Sequence, residues 1–156
     1  MAESLRRKCR TVEKDGTMAV IVNDGKVLLL KRRFFPFMVH PGFWSFVSGS
    51  RKKGESHLGT AYREIKEETG IGRTQLRPIV KNVGIMIVGQ NRDIRWANKF
   101  FIFESKDRNI RLNIENSAYK WARVADLDNE EKIITDFIEN SGMVLKLIKS
   151  SLKPHN

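Results

Sequence analysis

Three glutamates lie close together in the segment 63–68, which reads Arg-Glu-Ile-Lys-Glu-Glu. If this segment is helical, residues three and four positions apart share a face, so Glu64, Glu67 and Glu68 project together. Adjacent carboxylates repel one another and cost stability unless a cation lies among them. Such oxygen donors suit Mg²⁺, which keeps several waters and shares substrate phosphates. The alternative is a glutamate-rich helix face in solvent, with Arg63 pairing with Glu67.

The helix that must carry these glutamates is predicted over residues 55–69. Its apolar residues recur at helical spacing and form one stripe, which consists of Leu58, Ala61, Tyr62 and Ile65. Gly70 follows at the position where a left-handed C-cap is expected.

Strands are predicted on both sides of this helix. Apolar runs at 17–22 and 26–31 flank Asp24-Gly25, which indicates a hairpin. The other predicted strands span residues 43–47, 76–80, 83–88, 96–103 and 119–124. A loop is predicted over 48–54, and two helical stretches, before Asn140 and over 143–152, close the chain. This order favours a mixed sheet between layers of helices.

The glutamates belong to a longer pattern of fixed spacing. Gly49 is followed after five residues by Glu55, then after seven by Arg63-Glu64, and the pattern ends at Gly70-Ile71. This segment resembles the Nudix box, G-x5-E-x7-R-E-U-x-E-E-x-G-U with U aliphatic, at every fixed position. At roughly 7% per fixed letter, chance agreement is on the order of 10⁻⁹ per window. The chain therefore resembles the Nudix hydrolase family.

This resemblance implies a fold and a chemistry. Family members form an α/β/α sandwich with a mixed sheet and a loop–helix–loop catalytic motif. They hydrolyse a pyrophosphate bond in a nucleoside diphosphate linked to another group, using Mg²⁺ or Mn²⁺. The resemblance implies that the metal-ligand positions of the family are occupied here by Glu64, Glu67, Glu68 and the backbone carbonyl of Ser48. The positions that orient the helix and its carboxylates are occupied by Gly49, Glu55 and Arg63. As the general base, we place Glu64 or Glu67 first and Glu115 second.

The resemblance continues outside the box. The segments 30–33, 42–50 and 115–121 are similar to those of dihydroneopterin-triphosphate pyrophosphatases, which also cleave dATP. There the glutamate at the position of Glu115 is a further metal ligand, and the next residue is histidine where this chain has Asn116. Ser48 stands where the family more often has glycine. Diadenosine-tetraphosphate hydrolases share a comparable segment around Glu115, so the substrate stays open.

Four further residues are candidates for binding substrate. Arg32 and Arg33 leave the second predicted strand toward the box, where a guanidinium could hold the outer phosphates. The alternative is a solvated basic strand end. Phe35 and Trp44 offer flat surfaces on which a base or pterin could stack, although such side chains more often belong to the core.

Composition limits the remaining classes. The 156 residues are 40% hydrophobic and carry a net charge of +11. One domain over 1–156 is expected, with residues 1–12 as a flexible basic arm. The single cysteine, Cys9, excludes an internal disulfide. No apolar run approaches the roughly 20 residues that cross a membrane, and no secretory signal is evident, so a cytoplasmic location is expected.

The leading expectation is a metal-dependent pyrophosphohydrolase. It would act on a nucleoside or pterin triphosphate and release monophosphate and pyrophosphate. The alternatives are a dinucleoside polyphosphate hydrolase and an RNA 5′-end pyrophosphohydrolase, the latter suggested by the positive charge, which would favour phosphate contacts. A non-catalytic nucleotide-binding module is a third class. The oligomeric state is left open.

Overall fold

The computed structural model describes residues 12–35, 38–89 and 94–152. The expected basic arm therefore lies outside the described residues, except for Val12, which already belongs to the first strand. Within these ranges, the helices are all too short or too polar to cross a membrane.

The sheet starts with a hairpin. Strand β1 (Val12–Asn23) and strand β2 (Lys26–Arg32) are joined by Asp24 and Gly25, whose φ angles are +49° and +73°. Two consecutive positive φ angles match the tight hairpin turn that the Asp-Gly pair predicted. β1 and β2 pair only next to this turn, at Val22 with Val27 and Asn23 with Lys26, and then diverge.

Two short strands fill the space between the diverging hairpin arms. Strand β3 (Trp44–Ser45) pairs with the end of β2, and strand β4 (Val47–Ser50) pairs with the middle of β1. The prediction of one strand over 43–47 and a loop over 48–54 is therefore partly wrong. Residues 48–50 continue as strand because each pairs with a residue of β1, from Gly16 to Met18.

Three long strands complete a seven-stranded mixed sheet. Strand β5 (Leu76–Val88) pairs antiparallel with strand β6 (Ile94–Ser105), β6 runs parallel to β1, and strand β7 (Asn116–Arg123) pairs with β2. The two strands predicted over 76–80 and 83–88 are one strand with two register shifts. Asn82, with a φ of +56°, lies at the second shift.

Helix α1 (His57–Thr69) covers one face of the sheet. It begins two residues later than predicted, because Ser56 caps it by accepting a hydrogen bond from the Gly59 amide at 3.0 Å. It ends at Gly70, whose φ of +79° confirms the predicted left-handed cap. The predicted stripe faces the sheet, and its buried members Ala61 and Ile65 join a core that includes Ala19, Ile21, Leu28, Leu30, Phe101 and Phe103.

The opposite face is covered by the end of the chain. Helix α2 (Val124–Leu127) is a single turn that the sequence analysis did not predict, and helix α3 (Ser141–Ser151) buries Val144 and Ile148 against this face. The helix predicted before Asn140 is wrong, since Ile134–Phe137 forms only a 3-10 turn. Its neighbours Ile133 and Ile138 form isolated bridges to Trp44 and Ile87. The predicted α/β/α sandwich is confirmed.

Candidate active site

The glycine that opens the motif lies directly against the helix that closes it. Gly49 is in β4, and a Cβ added to it would be 2.1 Å from Cδ of Glu64 and 2.2 Å from its Oε1. These separations are far below van der Waals contact, so no side chain fits at position 49. The absent side chain lets Glu64, which is 8% exposed, pass over the backbone of β4.

Arg63 and Glu55 fix the start of α1 relative to the loop before it. The Arg63 guanidinium donates to both carboxylate oxygens of Glu55, each at 2.8 Å, and to the Ser50 carbonyl at 3.0 Å. These hydrogen bonds lower the pKa of Glu55 to about 2, with a further bond from the Lys52 amide. Nη1 of Arg63 also donates to Oε1 of Glu64 at 2.7 Å. The contacts are those that an orienting pair would make.

Glu68 is buried beneath the site. It is 1% exposed, and it accepts hydrogen bonds from the Ser48 amide at 3.1 Å and from Nδ2 of Asn116 at 3.2 Å. Burial raises the pKa of Glu68 to about 8, with the negative charges of Glu64 and Glu115 adding to the shift and the Asn116 bond opposing it. Asn116, which replaces the expected histidine, thus supports this carboxylate, a contact that the sequence did not predict.

Glu64 and Glu115 line one cleft, although 51 residues separate them in the sequence. Glu115 comes from the connection that precedes β7. The cleft has a volume of about 310 Å³ and is lined by Lys14, Met18, Arg32, Val39, His40, Ser45, Ser48, Gly49, Ser50, Glu64, Ile87, Trp96, Asn98, Glu115 and Ile134. Glu67 is not among them: its side chain is 49% exposed and accepts from Arg63 at 3.4 Å.

The donor chemistry of this cluster fits a divalent cation. Burial raises the pKa of Glu64, and the ion pair with Arg63 opposes that shift. The negative charges of Glu64 and Glu115 repel that of Glu68, and this repulsion contributes to the raised pKa of Glu68. A hard cation would relieve that repulsion through oxygen ligands. Among the described residues, no group of three His, Cys, Asp or Glu is arranged to hold an ion as it stands. The ligand set therefore stays a prediction.

The two candidate arginines occupy different environments. Arg32 lines the cleft, and its Nε donates to the Val39 carbonyl at 2.5 Å. Burial lowers the pKa of Arg32, and the charges of Glu68 and Glu115 oppose the shift. Arg33 instead donates to the Ile114 carbonyl at 2.9 Å and so holds the backbone next to Glu115. The position of Arg32 in the cleft is compatible with the predicted phosphate contact. Arg33 instead stabilises the backbone of the loop that carries Glu115.

The two candidate stacking residues lie outside the cleft lining. Phe35 is 40% exposed and lies under the Arg33 guanidinium, 5.8 Å from the ring centroid. The ammonium groups of Lys120 and Lys31 lie over the Trp44 ring, 4.3 Å and 5.8 Å from its centroid. A different aromatic residue, Trp96, lines the cleft.

His40 is a buried neutral histidine in the cleft wall. It is 3% exposed, packs against Phe43, Trp96 and Phe137, and shares a hydrogen bond of 3.1 Å with the Val88 carbonyl. Burial lowers the pKa of His40 to about 4. Its φ of +51° is a left-handed conformation that asparagine also tolerates.

We expect His40 to make the protein less stable in mild acid. Between pH 6.5 and 4 the unfolded histidine binds a proton and the folded one does not, so the free energy of unfolding decreases as the pH is lowered. The full difference in the pKa of His40 between the unfolded and folded states corresponds to up to about 3 kcal/mol of stability. Urea unfolding of wild type and His40→Asn at pH 6.5 and 4.5 checks this. The variant should lose less stability over the interval, and equal losses in both proteins would contradict the expectation.

The chain is similar to known proteins over most of its length. The model of the NUDIX domain matches residues 13–140. The chain is 30% identical over 138 residues to the RNA pyrophosphohydrolase of Pelagibacter ubique, covering 80% of this chain and 83% of that protein. It is 34% identical over 87 residues to the asymmetrical bis(5′-nucleosyl)-tetraphosphatase of Mus musculus, covering 50% of this chain and about half, 54%, of that enzyme.

Solved structures show the same fold. An Ap4A hydrolase of C. elegans, solved as a binary complex, superposes with a TM-score of 0.68 at 21% identity, over 91% of this chain and 98% of that one. The dihydroneopterin triphosphate pyrophosphohydrolase of E. coli gives a TM-score of 0.63 at 24% identity, with the same coverage of both chains. The match to the NUDIX model and the similarity to the Pelagibacter ubique enzyme, taken with the intact motif, show that the chain belongs to the Nudix family and is a hydrolase of pyrophosphate bonds in nucleotide-type substrates.

Proposed function

We propose that this enzyme hydrolyses the pyrophosphate bond of a nucleoside or pterin triphosphate, releasing a monophosphate and pyrophosphate with the help of Mg²⁺ or Mn²⁺. The observation that carries the proposal is the convergence of Glu64 and Glu115 on one cleft beside Ser48 and Gly49 of β4. We further propose that a single Nudix domain accounts for the described residues. A 5′-triphosphate is a compact polyanion, and the cleft pairs carboxylates with the cation Arg32.

The proposed metal ligands are Glu64, Glu67, Glu68, Glu115 and the carbonyl of Ser48. When bound, the cation would neutralise phosphate charge and lower the pKa of an attacking water. The protein's own groups have separate tasks. Arg63 and Glu55 hold the carboxylates in position, Arg32 would bind phosphate oxygens, and a glutamate, Glu64 or Glu67 before Glu115, would accept the proton of the water.

A second candidate is removal of pyrophosphate from the 5′ end of RNA. The similarity to the RNA pyrophosphohydrolase over 138 residues favours it. The net charge of +11 would support binding of a phosphate backbone. The reaction at the 5′ end is the same, since an RNA 5′-triphosphate also yields a monophosphate and pyrophosphate. Cleavage of a dinucleoside tetraphosphate, suggested by the mouse relative, differs because it yields two nucleotides.

One panel experiment tests these proposals together. The wild type is incubated with Mg²⁺ and nucleoside triphosphates, dihydroneopterin triphosphate, 5′-triphosphorylated RNA or diadenosine tetraphosphate, and the products are identified by mass. Pyrophosphate with a monophosphate supports the leading proposal, and RNA as the best substrate supports the second. Two nucleotides from the tetraphosphate alone would favour the third candidate. No turnover of any compound between pH 7 and 9 would contradict all three.

A further inference from the structure

The cleft extends beyond the carboxylates onto one face of β1 and β6. The parallel register places Lys14 beside Trp96, Gly16 beside Asn98, and Met18 beside Phe100. Because side chains alternate along a strand, these residues share one face of the sheet. Lys14, Met18, Trp96 and Asn98 line the same cavity as Glu64 and Glu115. Phosphates held at the carboxylates would therefore leave the rest of a nucleotide next to this face.

Asn98 is an unusual residue for the centre of a buried strand. It is 5% exposed, and its Oδ1 has no hydrogen-bond partner among the described residues. A buried acceptor without a hydrogen bond destabilises the folded protein. Such a group needs an explanation, and a ligand that donates a hydrogen bond supplies one.

The amide of Asn98 can pack closely over β1 because Gly16 has no side chain. A Cβ added to Gly16 would lie 3.0 Å from Oδ1 of Asn98 and 2.5 Å from the Gly49 carbonyl oxygen. The Oδ1 atom of Asn98 therefore lies next to the space that a side chain on Gly16 would occupy. A larger residue at position 16 would clash with β4.

The other walls of this part of the cavity suit a flat ring. Met18, Ile87, Trp96 and Ile134 supply apolar and aromatic surface. His40, which also lines it, is neutral at physiological pH because burial lowers its pKa to about 4. An amide beside apolar and aromatic walls is an arrangement that fixes the orientation of a small ring in a pocket.

We propose that Asn98 determines base specificity by accepting a hydrogen bond from an amino group of the substrate's nucleobase or pterin ring. The inference rests on the proposed function, because it names the group that the same cleft recognises. Asn98 would touch the base and not the reacting phosphates, so it would set binding and selectivity. Substrates without the amino group would leave Oδ1 unsatisfied and bind more weakly.

The test uses binding, so that it does not depend on turnover. Calorimetric titrations compare AMP, GMP and CMP with purine riboside, inosine and pyrimidin-2-one riboside 5′-monophosphates, which lack the amino group. We expect at least one amine-bearing nucleotide to bind tenfold or more tightly than its analogue. Asn98→Leu, of similar size, should reduce that ratio to about twofold or less, and Asn98→Asp, which keeps an acceptor, should retain it.

Thr17→Val is the matched control. Thr17 is 1% exposed with an unpartnered hydroxyl in β1, but it does not line the cleft, so the ratio should not change. Two results with the wild type would overturn the inference: equal affinity within every nucleotide pair, or no binding at all. An unchanged affinity ratio in a folded Asn98→Leu variant would also overturn it. If Asn98→Leu loses the affinity ratio but the wild type hydrolyses no pyrophosphate bond, only the proposed function is refuted. Turnover with an unchanged ratio would refute only the role of Asn98.

Discussion

Replacing Gly49 with alanine is expected to reduce kcat by a hundredfold or more while the protein still folds. The added Cβ would lie 2.1 Å from the Glu64 carboxyl carbon, so Glu64 must move. Displacement of a catalytic group by about 1 Å can cost on the order of 10²-fold in rate. The backbone at Gly49 has no positive φ, so the effect would come from the displaced carboxylate and not from backbone strain.

Gly142→Ala is the control for this substitution. Gly142 lies in α3, and a Cβ there meets nothing within 4 Å, so alanine should leave kcat unchanged and stabilise the helix by about 0.5–1 kcal/mol. Steady-state rates and thermal unfolding are measured for both variants. Wild-type turnover in Gly49→Ala would show that Glu64 need not occupy its observed position.

Neutralising the clustered glutamates one at a time should give the second large effect. We expect Glu64→Gln and Glu67→Gln each to lower kcat by about 10²–10⁴-fold, since each is a proposed metal ligand and a candidate for the general base. Stability should change little. Glu64 is buried with a raised pKa, so an uncharged amide of the same shape suits its surroundings.

Glu104→Gln provides the comparison at the surface. Glu104 is exposed in β6 and pairs with Arg77, so its loss should leave kcat within about twofold. A Mg²⁺ titration of each variant adds a second readout. The two helix variants should need more Mg²⁺ for half-maximal rate, and the control should not. Wild-type kcat in Glu67→Gln would show that the site is wrongly placed.

The local parts of the site could be predicted because their signals lie within one segment. The spacing from Gly49 to Gly70 indicated the helix and its cap, and the structure agrees with both. Even the requirement for glycine at position 49 has a local partner, Glu64, in the same motif. Such features depend on backbone geometry over a few turns, which the sequence pattern specifies directly.

The base-facing wall of the cleft could not be predicted, because it depends on the pairing of distant strands. Gly16 and Asn98 are neighbours only because β1 and β6 run parallel, and no local pattern indicates that register. For the same reason Trp96, rather than Phe35 or Trp44, lines the cleft. The helix predicted before Asn140 failed in a similar way, since Ile133 and Ile138 bridge to distant strands and not to one another.

The central claim is that the carboxylates of α1 and Glu115 bind divalent cations that in turn bind a phosphoanhydride. Its most direct test is a crystal structure of the Glu67→Gln variant grown with Mn²⁺ and a non-hydrolysable triphosphate analogue, with anomalous data collected for manganese. We predict a manganese peak bonded to oxygens of Glu64, Glu68 or Glu115 and to the analogue's phosphates. Phosphates bound elsewhere, with no manganese at these carboxylates, would contradict the account.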